Sequence, residues 1–251
     1  MTYQKFAYLY DTLMVDVPYD GWVNWVIDRS KKYEVSGSRL MDLACGTGEL
    51  SIRLAKAGFQ VTGIDLSEDM LAVAQAKTEE EGLEIPYYHQ DMTELTGLSE
   101  FDVVGIFCDS LNYISEEVDV KKTFAKVYQH LSPGGLFLFD VHSIYKMDVI
   151  FQSSPFTYND EEIAYIWDCF SGESPHSVEH ELTFFVYDEM TGQYDRVDEH
   201  HLQRTFEPTM YKIWLENAGF ELLELTADFL PTLPSDDSER IMFVARKKDL
   251  K

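Results

Sequence analysis

The chain has 251 residues, 45% of them apolar, which is enough for one large domain, with or without an insertion, to bury its core without disulfides or metals. Twenty basic side chains against 45 acidic ones give a net charge of −25, a surface that repels phosphate backbones and anionic lipid and so disfavours nucleic acid as a partner. No apolar run approaches the roughly 20 residues that span a bilayer.

The first residues, MTYQKFAYLYDTLM, lack the charged, long apolar and small-residue regions of a secretory signal. The cysteines are Cys45, Cys108 and Cys169, an odd number with no CxxC pair, which suits reduced thiols in a cytoplasmic protein. Phe6, Leu9, Leu13 and Met14 recur at helical spacing, and Trp22, Val26 and Ile27 do so after Pro18, predicting two amphipathic helices. Strand and helix then alternate. Strand signals cover Arg39–Asp42, Gln60–Asp65, Ile85–His89, Phe101–Phe107 and Leu136–Val141, with helix patterns over Glu49–Ala57, Glu68–Glu80 and Val118–Leu131 between them. Ser67 is a candidate N-cap, and Pro133-Gly134-Gly135 a turn signal before the apolar strand LFLFDV. Repeated strand–helix–strand units predict a parallel sheet with helices on both faces.

The rhythm changes after His142. Glu162–Phe170, Val178–Tyr187 and Gln193–Phe206 alternate like strands and are separated by turns containing glycine, predicting an antiparallel meander of three strands. A helix returns at Glu207–Ala218 with Gly219 as its C-cap, and strands follow near Phe220–Leu225 and Ile241–Ala245. The expected organisation is therefore N-terminal lid helices in 1–35, an α/β binding domain in 36–144 and 207–251, and an inserted antiparallel β lid in 145–206.

In an open parallel sheet, ligands bind outside the carboxyl ends of the strands. Asp42 ends the first strand, and Gly46-Thr47-Gly48 lets backbone approach a ligand before the helix starts. Ser51 stands where a dinucleotide fingerprint has its third glycine, no phosphate-loop lysine exists, and the turn has no Lys or Arg. A nucleoside without phosphates fits better than one with them. Asp65 ends the second strand, where an acid can accept hydrogen bonds from both ribose hydroxyls. Asp91 follows the third strand, where a carboxylate can accept from the exocyclic amine of adenine, with Met92 packing on the ring.

With these motifs the chain resembles the class I S-adenosylmethionine-dependent methyltransferases. "LMDLACGTGELS", "VTGIDLSEDML", "HQDM", "FDVVGIFCDSLNYI" and "LSPGGLFLFDVHS" look like that family's successive motifs, and the likeness covers nearly the whole chain. Ala44 stands where the common pattern has glycine. "FAYLYD" and the inserted meander are similar to a small-molecule branch that includes glycine and sugar-amine N-methyltransferases and the bacterial YqeM-type proteins. The resemblance implies a Rossmann-like, seven-stranded, mostly parallel sheet with the meander after the fifth strand, and S-adenosyl-L-methionine as cofactor. It also implies that backbone around Asp42, Ala44, Gly46 and Gly48 lies against the methionine part of the cofactor. Asp65 would bind the ribose, Leu66 and Met70 would flank the adenine, and Asp91 and Met92 would hold its edge and face. The Phe107 carbonyl would meet the cofactor's amino group, and Tyr10 would close over the sulfonium, with Tyr3, Tyr19 and Trp22 as further lid candidates.

Asp109 and His142 follow the fourth and fifth strands, where an acceptor would lie, and are the catalytic candidates. Either could orient or deprotonate an amine or hydroxyl; otherwise one is a capping aspartate and the other a loop histidine. His176, His180, Glu199, His200 and His201 read as polar residues of a half-exposed meander rather than as a metal site, since residues four apart on a strand are distant. Cys45 and Cys108 read as small fillers, and Phe184, Phe185 and Trp167 as packing. The expected acceptor pocket is roofed by the helix bearing Tyr10 and by the meander, over Asp109 and His142. Tyr158, Asp160, Tyr165, Trp167, Glu179 and Tyr194 in those segments would suit a cationic amine. Nitrogen, oxygen and carbon acceptors stay open, as do a nucleic-acid methyltransferase of the same fold and a catalytically silent cofactor-binding module.

Overall fold

The computed structural model describes residues 17–248. The expected helix around Phe6–Met14, with Tyr3 and Tyr10, lies outside them. Helix α1, Tyr19–Lys32, follows Pro18 and turns Trp22, Trp25 and Val26 inward at helical spacing. Strand β1, Arg39–Leu43, leads to helix α2, Glu49–Lys56. Strand β2, Gln60–Asp65, leads to helix α3, Glu68–Glu80. The Ser67 hydroxyl accepts from Met70 N at 3.3 Å, so the predicted cap is present. Strand β3 is short, Tyr87–His89, and strand β4 is Phe101–Ile106. Helix α4, Glu117–His130, precedes strand β5, Leu131–His142.

The predicted Pro133-Gly134-Gly135 turn lies inside β5 as a break in register. Phe101 pairs with Leu131 but Val103 pairs with Leu136, so the extra residues loop out of the ladder. After β5, short helical turns at Lys146–Ile150 and Phe151–Ser153 lead into an antiparallel sheet. It has four strands rather than three: β6 Phe156–Asn159, β7 Ile163–Ser171, β8 Ser177–Asp188 and β9 Gln193–Arg204, in that spatial order. Strand β6 has four residues and a mostly exposed pattern, so it shows no alternation of the kind that betrays the others. Helix α5, Pro208–Ala218, ends at Gly219, whose φ of 104° closes the last turn. Strands β10, Phe220–Ala227, and β11, Arg240–Lys247, complete the main sheet.

That sheet has seven strands in the order β10-β11-β5-β4-β1-β2-β3. Strands β1 to β5 pair in parallel, and β11 runs antiparallel to both of its neighbours. The order reverses between β1 and β4, which opens a crevice at their carboxyl ends. The sheet is buried on both faces. On one, Phe139 stacks on Phe243 with centroids 4.6 Å apart and joins Phe124, Phe137, Tyr211 and Trp214. On the other, Leu40, Val103, Leu138 and Val244 meet Trp22, Trp25 and Val26 of α1. The β6–β9 sheet carries its own small apolar cluster of Ile163, Phe184 and Val197, on which Met70 of α3 packs. This contact sets the second sheet over the strand ends of the first. Among the described residues no helix is long and apolar enough to cross a membrane.

Candidate active site

The β1–α2 turn is built from left-handed residues. Ala44, Gly46 and Gly48 have φ of 66°, 55° and 76°. A Cβ on Gly48 would lie 2.7 Å from Tyr87 Oη and 2.9 Å from Ala74 Cβ, so that glycine serves packing as well as conformation. A Cβ on Gly46 would meet nothing within 4 Å, so its bare backbone faces open space. That space is a small pocket of about 50 Å³ bordered by Tyr19, Asp42, Ala44, Gly46, Thr47 and Phe107, among others, with no Lys or Arg in its wall.

Two carboxylates organise the turn. Asp65 takes Gly46 N at 2.7 Å on one oxygen and Ser67 N at 2.9 Å on the other. It thus ties the first loop to the second and keeps further lone pairs for a ligand. Asp42 is buried and accepts from Ser51 Oγ at 2.5 Å. Burial pushes its carboxyl up to about 7, against the pull of the Ser51 hydrogen bond and with the Asp65 charge adding to the rise.

The remaining predicted cofactor residues lie around the same strand ends. Leu66 is 64% exposed, an apolar side chain left in solvent directly after β2. Met70 packs beneath the second sheet, and Met92 packs against the main core. Asp91 uses one oxygen to take Thr93 N at 2.7 Å, forming a local turn. The Phe107 ring is buried, 6.4 Å from Trp25, and its carbonyl takes Ser110 N at 3.2 Å. Tyr10 lies outside the described residues.

A second, larger cavity of about 350 Å³ opens beside the turn pocket, and Cys108 and Ser110 border both. Asp109 and His142 lie in its wall, opposite Tyr165, Trp167, His180, Leu182, Phe184, His201 and Gln203 of the second sheet. Of the expected aromatic and acidic lining, Tyr165 and Trp167 border this cavity. Tyr158, Asp160, Glu179 and Tyr194 do not, and Tyr158, Asp160 and Tyr194 are exposed. Strand alternation explains Glu179 and Tyr194: Cys169, His180 and His201 are cross-strand partners on the inner face, whereas Glu179 and Tyr194 fall on the outer one. Tyr158 shares the face of its partner Tyr165, on which it stacks, but lies on the exposed edge strand β6 beyond the cavity. His180 is 3% exposed, so it is no part of a half-exposed surface. His176 instead meets Asp148 at 2.7 Å, and His200 faces Glu179 at 3.6 Å.

Asp109 and His142 are in contact: Asp109 Oδ2 is 3.2 Å from His142 Nε2. Arg240 Nη2 holds the other Asp109 oxygen at 3.0 Å, and Gln203 Nε2 donates to Oδ2 at 3.1 Å. Burial alone would raise the Asp109 carboxyl, but His142, Arg240 and Gln203 outweigh it and hold the group well below its usual range. Burial lowers His142, with Asp109 pulling it back and Arg240 and Lys146 lowering it further, so the imidazole is neutral. The Asp109 side chain makes no capping hydrogen bond to the turn at Ser110–Tyr113.

Asp140 and Arg240 were not foreseen. Asp140 is fully buried in β5. It accepts from Trp22 Nε1 at 2.7 Å, Cys108 N at 3.0 Å and Asp109 N at 2.9 Å, and it pairs closely with Arg240. These bonds hold Cys108 and Asp109 at φ of 52° and 54°, a conformation that non-glycine residues rarely take. One signal was present: a lone aspartate inside the apolar run LFLFDV must find buried partners.

A family model described as "Methyltransferase domain" matches residues 40–135. A methyltransferase-family protein of Geobacillus sp. (strain WCH70) is 57% identical over 98% of this chain and 100% of its own length. The methyltransferase-family protein YqeM of Bacillus subtilis (strain 168) is 50% identical over 98% of both chains. The crystal structure of an S-adenosylmethionine-dependent methyltransferase from Clostridium acetobutylicum superposes with a TM-score of 0.89 at 31% identity, covering 98% of this chain and 99% of that one.

Proposed function

The chain belongs to the S-adenosylmethionine-dependent methyltransferases, and from that premise we propose that it methylates a small molecule held in the large cavity between the two sheets. The observation that carries this reading is the shared wall: Cys108 and Ser110 border both the turn pocket and the cavity, so groups held in the two spaces meet across the end of β4.

The residues of the turn fit the cofactor. Open backbone at Gly46, buried or half-buried carboxylates at Asp42 and Asp65, and a wall without Lys or Arg suit a cationic amino-acid sulfonium with no phosphates. Asp42, Ala44, Gly46 and Gly48 would hold its methionine end, with the Phe107 carbonyl on the amino group. Asp65 would hold the ribose, and Leu66, Met70, Asp91 and Met92 the adenine. When bound, the cofactor supplies a methyl group on an already activated leaving sulfur.

The chain's own work is then alignment, exclusion of water and removal of one proton. Alignment within about 3–3.5 Å supplies much of the acceleration of an in-line displacement. The second sheet covers the cavity with aromatic and aliphatic side chains, which keeps water out. His142 is neutral and linked to Asp109 through Nε2, which leaves Nδ1 as the base. In this reading residues 36–144 and 207–248 bind the cofactor, and residues 145–206 form the lid that shapes the acceptor site, with Val17 and Trp22 bordering it from the N-terminal side. An amine acceptor draws support from the aromatic faces of Trp22, Tyr165 and Trp167. It loses the outer-face carboxylates that first suggested it. Three free thiols fit a reduced compartment, the cytoplasm.

Calorimetry with S-adenosylhomocysteine tests the reading, and no binding at millimolar ligand overturns it. Binding without turnover over a broad panel of acceptors would instead favour a silent module.

A further inference from the structure

Two buried histidine nitrogens in the large cavity have no partner in good hydrogen-bond geometry among the described residues, Nδ1 of His142 and Nε2 of His180; the Gln203 amide approaches His180, but its Nε2–H goes to Asp109. The opposite side of each ring settles which is acceptor and which donor. An indole N–H can only donate, and Trp167 Nε1 reaches His180 Nδ1 at 3.1 Å. His180 therefore carries its proton on Nε2. An ionised carboxylate can only accept, and Asp109 lies 3.2 Å from His142 Nε2. His142 therefore also carries its proton on Nε2 and offers the lone pair of Nδ1. Burial holds both rings neutral, His180 being pushed down to about 4. Both stand edge-on to Phe151, with ring centroids 5.4 and 4.8 Å from it. The cavity wall thus holds one orphaned acceptor and one orphaned donor beside the same phenyl ring. Buried polar atoms are rarely left unpaired, and a ligand that pairs them is a physical reason for the exception.

Resting on the methyl-transfer reading above, we propose that the acceptor's nucleophile is a hydroxyl oxygen, which gives its O–H to His142 Nδ1 and accepts the Nε2–H of His180 on one lone pair. Counting lone pairs decides between oxygen and nitrogen. A hydroxyl oxygen has two: one accepts from His180 and the other attacks the methyl carbon. A neutral amine has one, which must attack, so His180 stays unpaired. An ammonium has none, so it can neither attack nor accept from His180. In the transfer, the oxygen–carbon bond forms as the carbon–sulfur bond breaks. The bonding pair stays on the sulfur of S-adenosylhomocysteine, and the hydroxyl proton ends on His142 Nδ1. The resulting imidazolium is paired with Asp109 through its Nε2–H.

The test uses the full chain labelled with nitrogen-15 at histidine and saturated with S-adenosylhomocysteine. The probes are phenol and benzyl alcohol against benzylamine at neutral pH, where it is an ammonium with no lone pair, each at millimolar concentration. The expected spectrum shows both rings neutral and protonated on Nε2. The alcohols then shift His142 Nδ1 and His180 Nε2, and the ammonium leaves His180 Nε2 unmoved. His180→Phe weakens alcohol binding by about tenfold, the loss expected for one hydrogen bond. His180→Gln, which keeps an N–H at similar reach, restores most of it. A proton on Nδ1 of either ring overturns the proposal. So do alcohols that leave both nitrogens unmoved, an ammonium that shifts His180 Nε2 as much as they do, or unchanged binding in His180→Phe. Should His180→Phe fail to fold, the spectra and titrations of the parent decide. Failure of S-adenosylhomocysteine to bind strikes the methyl-transfer reading instead.

Discussion

Asp109 and His142 meet at 3.2 Å across the ends of β4 and β5, with the carboxylate on Nε2 and Nδ1 left free. An amide in place of that carboxylate keeps the shape but no longer stabilises an imidazolium. Asp109→Asn should therefore lower methyl transfer by about 10²–10⁴, the usual worth of a positioned base. S-Adenosylhomocysteine affinity should stay within a few-fold of the parent. Steady-state rates beside calorimetry check this, and an equal loss in both would mean that Asp109 only shapes the cofactor pocket.

Arg240 lies between two carboxylates, the buried Asp140 and the half-buried Asp109. Removing its charge leaves both without their cation, Asp140 with only N–H donors and Asp109 with His142 and Gln203. Arg240→Met should cost about 3–5 kcal/mol of stability, the range for breaking one side of a buried pair. Arg240→Lys should cost less, because the charge survives while the forked geometry is lost. Denaturant unfolding of both variants decides, and a loss below ~1 kcal/mol for Arg240→Met would show that the cluster does not need the cation.

The alternating strand and helix pattern made the main sheet legible, because strand period and helix period each leave an apolar record along the chain. The places of the turn, Asp65 and Asp91 along the sheet edge were legible for the same reason, since they follow from where strands stop; their roles toward a cofactor are part of the proposal. Strand β6 was not, being too short and exposed to carry a period. Arg240 was not, because its partners at Asp109 and Asp140 are about a hundred residues away or more, and local sequence holds no trace of them. Glu179 was misjudged for a subtler reason. Acidic residues are frequent in the meander, but which of them face inward depends on a register that the strand pairing decides.

The two glycines of the turn should separate binding from stability. Gly46→Ala pays only the left-handed penalty of about 1–2 kcal/mol, yet places a methyl group in the open space before the turn. It should lose at least about tenfold in S-adenosylhomocysteine affinity. Gly48→Ala meets Tyr87 and Ala74 as well as the φ penalty, so its larger effect should be on unfolding. Thermal melts and calorimetry on both variants check the contrast, which the opposite ranking would refute.

Asp65 bonds Gly46 N and Ser67 N, so it supports the cofactor loops as well as facing a ligand. Asp65→Ala should weaken S-adenosylhomocysteine binding roughly ten- to hundredfold, since hydrogen bonds to a charged group are worth about 1.5–3 kcal/mol. It should also lower stability, by removing the acceptor of two backbone N–H groups. A change below twofold in affinity, with the fold intact, would mean that Asp65 does not hold the ribose.

Buried titratable groups pull the pH dependence of stability in opposite directions. His180 falls from 6.5 to about 4, chiefly through burial, with His142 and His201 lowering it further. His142 and His201 are also lowered, again first by burial. Between the folded and unfolded values the unfolded chain binds more protons at these sites. Their contribution to stability is therefore present above about pH 6.5 and is lost as pH falls toward 4. Asp42 does the reverse. Its folded value rises from 3.8 to about 7, so in that window the folded protein holds the extra proton, and stability falls as pH rises. Asp65 is raised too and adds to the second trend. One full proton of difference is worth about 1.4 kcal/mol per pH unit, so the two sets offset each other and the parent should vary little between about pH 5 and 6.5. Asp42→Asn removes the largest opposing group and should make stability climb with pH across that window. His180→Phe removes a histidine contribution and should tilt the parent the other way. Urea unfolding at several pH values reads both slopes. Equal slopes in Asp42→Asn and the parent would show that the Asp42 carboxyl is already ionised in the folded protein, and that its bond to Ser51 outweighs its burial.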